Sequence, residues 1–476
     1  MRKQLSGGGF RVLLSLFVLC LAVGVFLRYS EKASSQKADT NDVVQSGQAP
    51  VASQAVAFGI SQAVRDLPEM ADPNWELDPE RAARAAARRA KQEDKIKNPF
   101  NAKTIKNIVP GAGVAGSNYA FRDEALPDAP AQPSVLPTPG VSFEGLSSQD
   151  NQTTFGTTFA PPDTVGDVGP NHYVQMTNTL VRIFNKNGTP ASAPFLLSSI
   201  TNVVGGPCVN MDDGDPIVNY DPLANRWILS QFCPGPVPGH QMFAVSTTPD
   251  PTGSYYVYDF VNPSGSFFDY PHVGVWPDAY YMTVNQFNQA GTAFLGAGAF
   301  AYDRVKMLQG DPTASYVYFD QFGSICPTCG GQLPTDLDGT ITPPAGMGNL
   351  IMEYTADEFG DAADGLRIFE FKPNFTTPAS STFTQVTPDL GFAAFDARQP
   401  TGRTDVEQPG TATNLDSIAD RLMFRVAYRN LGTVASPVNS WVMNFTVNVG
   451  GATPASAATY QAGIRWAEIR RAGANG

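Results

Sequence analysis

The residues best suited to chemistry in this sequence are aspartates that open a series of similar segments. They are Asp163, Asp167, Asp215, Asp269, Asp336, Asp338 and Asp416. If each segment begins with the strand nearest a common axis, these acids gather around one end of a channel. Carboxylates held close together repel each other, which raises some of their pKa values or recruits a cation. The spacing therefore predicts a set of channel-mouth acids.

The densest group of acids lies in the run MDDGDP at 211–216. Its members Asp212, Asp213 and Asp215 offer only oxygen ligands, which are the ligands that calcium prefers. Aspartate beside glycine or proline also caps ordinary turns by accepting hydrogen bonds from nearby backbone amides. These three residues are therefore a candidate calcium site, and turn capping is the alternative interpretation.

Glycoside hydrolysis is the enzymatic hypothesis, because it needs two carboxyl groups, or a tyrosine nucleophile in sialidases, at a set separation. Asp215, Asp269 and Tyr270 qualify by position, but no motif identifies catalytic residues, which stay unknown. Arginines that could clamp an acidic substrate are Arg182, Arg226, Arg304, Arg367 and Arg421. A Ser-His-Asp hydrolase is poorly supported, since the sequence has 3 histidines and no G-x-S-x-G motif.

The competing hypothesis is a binding module. Aromatic residues crowd one region: Tyr255, Tyr256, Tyr258, Tyr270, Trp276, Tyr280 and Tyr281. Aromatic faces beside acids suit the recognition of sugars or peptides, although the same rings could instead fill the space between packed sheets. An enzyme predicts converging titratable groups, whereas a binding module predicts an exposed aromatic patch.

The elements that would position these residues are short strands in a repeated unit. The stretch GDPIVNYDPLANRWILSQF at 214–232 has an acidic turn, an apolar strand, a polar turn and a second apolar strand. Related segments begin at Pro162, Asp269, Thr335 and Asn414. Repeats of about 40–50 residues with four strands each are typical of β-propeller blades. Together with the lack of a long amphipathic helix after residue 140, they predict an all-β, propeller-like domain over 141–476 with about five blade units.

The N-terminal part of the chain predicts export. A basic lead precedes an apolar run at 12–27, so residues 1–30 are either a signal peptide or an uncleaved N-terminal membrane anchor. Both place the rest of the chain outside the cytoplasm, whether secreted, periplasmic or anchored. The composition of residues 31–140 predicts a disordered, Pro-rich linker. Within it, the stretch at 78–97 predicts a charged helix.

Cysteine usage agrees with export. Apart from Cys20, the cysteines are Cys208, Cys233, Cys326 and Cys329, an even number that favours disulfides in an exported domain. Cys208 and Cys233 flank the 214–232 hairpin, so antiparallel pairing would bring them together. Cys326 and Cys329 form a CxxC, for which we expect a small disulfide loop rather than a zinc site or a redox centre.

The net charge of −12 argues against nucleic acid as a partner, because phosphates require a basic surface. An acidic surface is compatible with cations, with sugars or with a cell-surface protein, and it is also an ordinary property of soluble domains.

Several motifs occur together in a matching order: PPDTVGDVGPNHYVQMTN, GDPIVNYDPLANRW, STTPDPTGSYYVYDF, DYPHVGVWPDAYY, LPTDLDG and QPGTATNLDSIADRLMFRVAYRN. Over about 159–470 the chain thereby resembles a family of exported bacterial proteins with β-propeller-like repeats. The run SSQDNQTTF at 147–155 is also similar to the Asp-box turn of sialidase-type propellers, with Gln152 in place of its glycine. The resemblance implies a propeller fold and transfers no catalytic residues.

Members of that family continue beyond the segment matching GIRWAEIRR, so we expect a truncated or divergent last blade in this chain. The sequence thus predicts an exported or membrane-anchored propeller that is a binding module of the cell envelope, with carbohydrate or a cell-surface protein as partner. The alternative is an exo-acting glycoside hydrolase of the sialidase-like propeller type.

Overall fold

Strands make up most of the regular structure in the computed structural model, which describes residues 49–68, 140–155, 159, 161–323, 325–400, 405–450, 454, 456 and 458–472. All of these residues belong to one unit, Gln45–Gly476. The signal peptide or anchor expected over 1–30 and the helix expected near 78–97 lie outside the described residues. Among the described residues, no helix is long and apolar enough to cross a membrane.

In the described part of the chain, five groups of antiparallel strands follow one another, and we call them blades 1 to 5. Blade 1 contains β3 (Val165–Val168), β4 (His172–Met176), β5 (Leu180–Asn185) and β6 (Phe195–Leu196). Blade 2 contains β7 (Ile217–Asp221), β8 (Arg226–Cys233), β9 (His240–Ser246) and β10 (Tyr255–Val261). Blade 3 contains β11 (Phe267–Val275), β12 (Ala279–Phe287), β13 (Phe294–Asp303) and β14 (Ser315–Asp320).

Blade 4 contains β15 (Leu333–Leu337), β16 (Asn349–Thr355), β17 (Gly365–Lys372) and β18 (Thr382–Gly391). Blade 5 contains β19 (Leu422–Asn430), β20 (Val438–Asn448) and β21 (Ala462–Ala472). Within each blade the strands pair in chain order. The first strands of successive blades lie side by side, and β15 pairs with β19 in parallel. The fold is therefore an all-β propeller, as the sequence predicts.

Short helices connect some of these strands. They are α1 (Ser148–Phe155), α2 (Ser198–Thr201) and α3 (Arg304–Gln309), with 3-10 turns at Val64–Asp66, Asn202–Val204, Asp357–Phe359 and Pro378–Ser380. Helix α1 occupies the stretch that is similar to an Asp-box turn. The Asp150 carboxylate accepts hydrogen bonds from the Ser147 amide at 2.7 Å and the Ser147 hydroxyl at 2.8 Å. A carboxylate that returns to the preceding amide in this way favours a helix start over an isolated turn.

An N-terminal strap crosses the outer edges of two blades. Strand β1 (Val51–Gln54) pairs with β14, and β2 (Ala57–Ile60) pairs with β10. The expectation of a disordered linker is thus wrong for residues 49–68. Backbone hydrogen bonds to two open sheet edges order the strap, which is a form of β-strand addition. Such pairing does not require a long apolar sequence pattern, and the strap has none. Phe58 adds ring contacts with Tyr256 and Tyr258.

The space between successive blades is filled by large buried side chains. Ring contacts at three successive interfaces are Phe243 with Tyr302, Tyr281 with Phe371, and Tyr354 with Phe445. Trp227 of blade 2 belongs to the same buried cluster as Val174 and Ile183 of blade 1. Each such ring removes about 150–250 Å² from water. The rings proposed as a binding patch mostly belong here. Tyr255, Tyr258, Trp276, Tyr280 and Tyr281 are at most 1% exposed.

Charged groups of blades 4 and 5 also act electrostatically on blade 1. The charges of Arg425 in blade 5 and Asp338 in blade 4 both act on the carboxyl group of Asp167 in blade 1. Blade 5 has three strands among the described residues. Its outer strand β21 exposes Ile464 and Trp466, by 78% and 59% respectively.

Candidate active site at the channel entrance

One end of the channel is marked by a recurrent backbone feature. Near the start of each blade's first strand, at least one residue has a positive φ, and these residues include Asp163 (42°), Asp215 (45°), Tyr270 (55°), Gly331 (62°) and Ile418 (48°). For a residue other than glycine this conformation costs about 1–3 kcal/mol and is concentrated at functional sites. Because the first strands run in the same direction around the channel, these residues surround one opening, the channel entrance.

Polar side chains from blades 1, 2, 3 and 5 contact one another at this entrance. We call the following residues the entrance cluster: Asp163, Asn178, Asp215, Asp269, Tyr270, His272, Asp420 and Arg421. Asp163, Asp215 and Asp269 are half-buried, so each of these residues is partly exposed at the entrance. The cluster therefore joins several titratable groups in one accessible place.

Asn178 connects blades 1 and 2. Its amide nitrogen donates to the Asp163 carboxylate and to the Pro161 carbonyl oxygen, and its amide oxygen accepts from the Asp215 backbone N–H at 3.1 Å. A Cβ atom on Gly214, which has a φ of 107°, would lie 2.5 Å from the Asn178 amide oxygen. Glycine at 214 thus permits the approach that holds Asp163 and Asp215 on either side of Asn178.

The next contact leads from blade 2 to blade 3. The Asp215 carboxylate accepts a hydrogen bond from the Tyr270 backbone N–H at 3.1 Å. Tyr270 lies where the pairing of β11 with β12 shifts its register, between Asp269 and His272. The bulge redirects these side chains out of the regular ladder, which is a common device beside active sites.

Blade 5 contributes a cation to the cluster. Arg421 forms two hydrogen bonds with the Asp420 carboxylate, at 2.9 and 2.8 Å, and lies 4.7 Å from the centre of the Tyr270 ring. Burial lowers the pKa of Arg421, but the Asp420 carboxylate and the nearby Asp269 raise it more, so the guanidinium stays charged. Since blades 3 and 5 are separated by blade 4, the Arg421–Tyr270 contact spans the channel.

His272 forms part of the floor beneath the entrance. Its ring stacks on Phe424 of blade 5 at 5.0 Å and meets the Tyr270 ring edge-on at 4.2 Å. Both imidazole nitrogens are buried and have no hydrogen-bond partner among the described residues. Burial and the Arg421 charge lower the pKa of His272 to about 3. The imidazole is therefore neutral at physiological pH.

A second set of charges lies further along the first strands. Arg425 forms ion pairs with Asp336 and with Asp338, the latter at 2.7 Å. Burial raises the pKa of Asp336 to about 6, although Arg425 and the Val275 amide oppose this shift. Burial also raises the pKa of Asp167, against hydrogen bonds from the Tyr220 and Val168 amides. These carboxyl groups are engaged with protein partners.

Comparisons with known proteins add little to this geometry. No family model matches the chain, and no curated protein matches it. Among solved structures, it is similar to the catalytic domain of a GH62 α-L-arabinofuranosidase of Coprinopsis cinerea, with 10% identity, a TM-score of 0.27, and coverage of 63% of this chain and 89% of that chain. An α-L-arabinofuranosidase of Podospora anserina, solved with cellotriose, gives 11% identity, a TM-score of 0.27, and coverage of 65% and 90%. Scores this low establish no shared activity.

The sequence-predicted acids fall into separate places. Asp163, Asp215 and Asp269 lie at the entrance, whereas Asp167, Asp336 and Asp338 are grouped near Arg425. Asp416 lies in the segment before β19 and accepts hydrogen bonds from the Gln399 side chain at 2.9 Å and the Ile418 amide at 2.8 Å.

The candidate calcium ligands are likewise divided. Asp212 is buried and accepts a hydrogen bond from the Ser198 amide at 2.8 Å, while Asp215 binds the Tyr270 amide at the entrance. Among the described residues, the groups of acids, histidines and cysteines whose ligand atoms lie close enough to share an ion do not include Asp212, Asp213 or Asp215. Calcium at these three residues stays a prediction.

The four cysteines pair as the sequence suggests. Cys208 and Cys233 form a disulfide with a Cα–Cα distance of 6.0 Å, and Cys326 and Cys329 form one with a distance of 5.3 Å. Disulfides are typical of proteins folded in an oxidising compartment. This agrees with the predicted extracytoplasmic location.

Of the five arginines considered as clamps, Arg421 lies at the entrance. Arg304 pairs with Asp221, Arg367 pairs with Glu353, and Arg182 lies over the Phe184 ring. Asn178 and Asp420 were not among the residues predicted from the sequence. Asn178 lies in a turn between β4 and β5, and no local pattern distinguishes its side chain from that of any other turn asparagine.

Proposed function

We propose that the protein is a glycoside hydrolase whose active site is the entrance cluster. The observation that carries the proposal is the convergence of half-buried carboxyl groups from separate blades beside a fixed cation. This is the arrangement expected of an enzyme, and the burial of the aromatic residues argues against the exposed patch expected of a binding module. A pair of carboxyl groups is the only catalytic machinery that hydrolysis of a glycosidic bond requires. Because the entrance cluster supplies such groups, carbohydrate is the proposed substrate class.

Asp163 and Asp215 are the proposed catalytic pair. They lie on adjacent blades, on either side of Asn178, and both residues are half-buried. In such a pair, one carboxylic acid donates its proton to the leaving glycosidic oxygen. The other carboxylate either activates a water molecule or attacks the anomeric carbon, according to the separation of the two groups.

Other members of the cluster would hold the substrate. The charged Arg421 would donate hydrogen bonds to sugar hydroxyl groups, and the neighbouring Tyr270 ring would pack against the C–H face of the sugar. Tyr270 is a poor candidate for the nucleophile, since burial raises the pKa of its hydroxyl group and favours the protonated form. The Arg421–Asp420 pair, fixed by two hydrogen bonds, would orient the guanidinium before substrate arrives.

The test is turnover of a panel of aryl pyranosides and furanosides by the full-length chain. Removing a proton-transfer group typically costs about 10²–10⁴-fold in rate, so Asp163→Asn and Asp215→Asn should each lose at least about 100-fold in kcat/KM. Asp311→Asn is the matched control, because Asp311 caps an exposed turn at the opposite end of the propeller. Retention of turnover in both entrance variants would refute the assignment. Saturable sugar binding without turnover by the wild type would support a binding module instead.

A further inference from the structure

An acidic loop in blade 4 forms a separate cluster of carboxyl groups. The 3-10 turn Asp357–Phe359 joins β16 to β17, and the loop ADEFGDAADG at 356–365 carries four acids. Ligand oxygens of Asp357, Glu358 and Asp364 all lie within 4.8 Å of one another. Three carboxylates at this spacing repel strongly unless a proton or a cation neutralises them.

The second observation concerns Glu358 itself. It is 5% exposed, and its Oε2 atom is buried with no hydrogen-bond partner among the described residues. An unpaired buried carboxylate oxygen is costly, since water solvates such an atom strongly. The cluster thus contains a buried Glu358 carboxyl group, one oxygen of which has no hydrogen-bond partner among the described residues.

The surrounding charges do not balance the cluster. Asp396 adds a fourth carboxylate beside Glu358. Arg398 lies 3.9 Å from a Glu358 oxygen and 3.6 Å from an Asp396 oxygen, which are long ion-pair distances, and its side chain is 33% exposed. Arg465 also acts on Asp364, but it donates a hydrogen bond to the Ala393 carbonyl oxygen. Two partly engaged arginines therefore face four acids.

We propose that Asp357, Glu358 and Asp364 bind a divalent cation of the calcium class. All available donors are oxygens, and such donors select calcium or magnesium over zinc and copper. Calcium accepts six to eight ligands in flexible geometry, so three carboxylates supplemented by water satisfy it. This site differs from the calcium site predicted at Asp212, Asp213 and Asp215, and it does not depend on glycoside hydrolysis.

The cation would also stabilise one wall of the entrance. The loop follows β16, whose Tyr354 donates a hydrogen bond to the Ala419 carbonyl oxygen, next to Asp420 and Arg421. Neutralising the loop would therefore fix the blade 4 support beneath that ion pair.

The experiment is calorimetric titration of the chelator-treated, full-length chain with calcium chloride alone. Titration extends to about 10 mM, beyond the range of about 0.1–1 mM that is usual for extracellular calcium modules. We expect saturable binding by the wild type and at least a tenfold loss of affinity in Glu358→Gln. Glu407→Gln is the matched control, because Glu407 is exposed and is not one of the acids grouped in this cluster, and the calcium affinity of this variant should equal that of the wild type.

One further variant and one further ion complete the test. Asp357 is exposed, so Asp357→Asn should fold normally and still lose affinity, which matters if Glu358→Gln does not fold. Magnesium, which demands a tighter octahedral geometry, should bind more weakly. Absence of calcium binding by the wild type, or unchanged affinity in both site variants, would overturn the proposal. Aryl glycoside turnover by these variants is a separate readout, so failure of the cation site leaves the hydrolase proposal testable.

Discussion

Replacing Arg304 with methionine should destabilise the contact between blades 2 and 3. Its guanidinium forms two hydrogen bonds with the Asp221 carboxylate, at 2.6 and 3.0 Å, and the two side chains are 9% and 0% exposed respectively. Removing one partner of a buried ion pair leaves an uncompensated charge, which costs about 3–5 kcal/mol. Asp221 keeps hydrogen bonds from the Tyr280 hydroxyl and two backbone amides. The loss in the free energy of unfolding should therefore lie near the lower end of this range, at about 3 kcal/mol.

The assay is equilibrium unfolding in urea, monitored by tryptophan fluorescence. The dependence of the free energy of unfolding on urea concentration is compared between variants. Arg226→Met is the matched control, since Arg226 donates to the carbonyl oxygens of Ala224 and Asn225 and should cost less than about 1 kcal/mol. Adding Asp221→Asn to Arg304→Met should recover part of the loss, because a neutral amide needs no counter-charge. Equal effects of Arg304→Met and Arg226→Met would refute the reasoning.

Two further predictions concern crosslinks and pH. By chain entropy, a disulfide stabilises the fold by about 3.5 kcal/mol for the separation of 25 residues between Cys208 and Cys233, and by about 1.6 kcal/mol for the separation of 3 in the CxxC. Variants with both cysteines of one pair replaced by serine, compared by thermal unfolding, should show this order of stability loss. A larger loss on removal of the CxxC disulfide would contradict the prediction. The pKa of Asp336 is raised to about 6 from an unfolded value near about 3.9. Its contribution to stability is thus fully present below about pH 4 and lost as the pH rises through about 6. Relative to Asp336→Asn, the wild type should lose up to about 3 kcal/mol in the free energy of unfolding between these limits, and parallel pH profiles of the two proteins would exclude that shift.

The repeated sequence pattern predicted the blades because it combines turn chemistry with strand periodicity, both of which are local. The segment 214–232 shows this clearly, since its two apolar runs became β7 and β8 and its polar turn joins them. The Cys208–Cys233 disulfide could be predicted for the same reason, because these two cysteines flank one local hairpin.

The strap and the entrance cluster could not be predicted in the same way. Residues 51–60 are strands because β10 and β14 leave open edges about 200 residues or more away in sequence, and a chain without apolar alternation gives no signal of such pairing. Asn178 and Arg421 likewise gain their roles from contacts between blades. Such contacts depend on how the blades are arranged around the channel, which no local window encodes.

Three of the aspartates that first suggested chemistry bind the backbone of a neighbouring blade. The carboxylates of Asp167, Asp215 and Asp336 accept hydrogen bonds from the backbone amides of Tyr220, Tyr270 and Val275 respectively, each on the first strand of an adjacent blade. An inter-blade role of this kind was not among the alternatives of turn cap, cation ligand or catalytic acid.

The structural and catalytic roles of such an acid respond differently to asparagine. The asparagine side chain still accepts a hydrogen bond from a backbone amide through its carbonyl oxygen, but it cannot donate or accept a proton at physiological pH. Asp215→Asn should therefore preserve the link to Tyr270 and the free energy of unfolding while it abolishes proton transfer. If Asp215→Asn were instead to lose stability and turnover together, the carboxylate charge itself would be what holds blades 2 and 3 in register at the entrance.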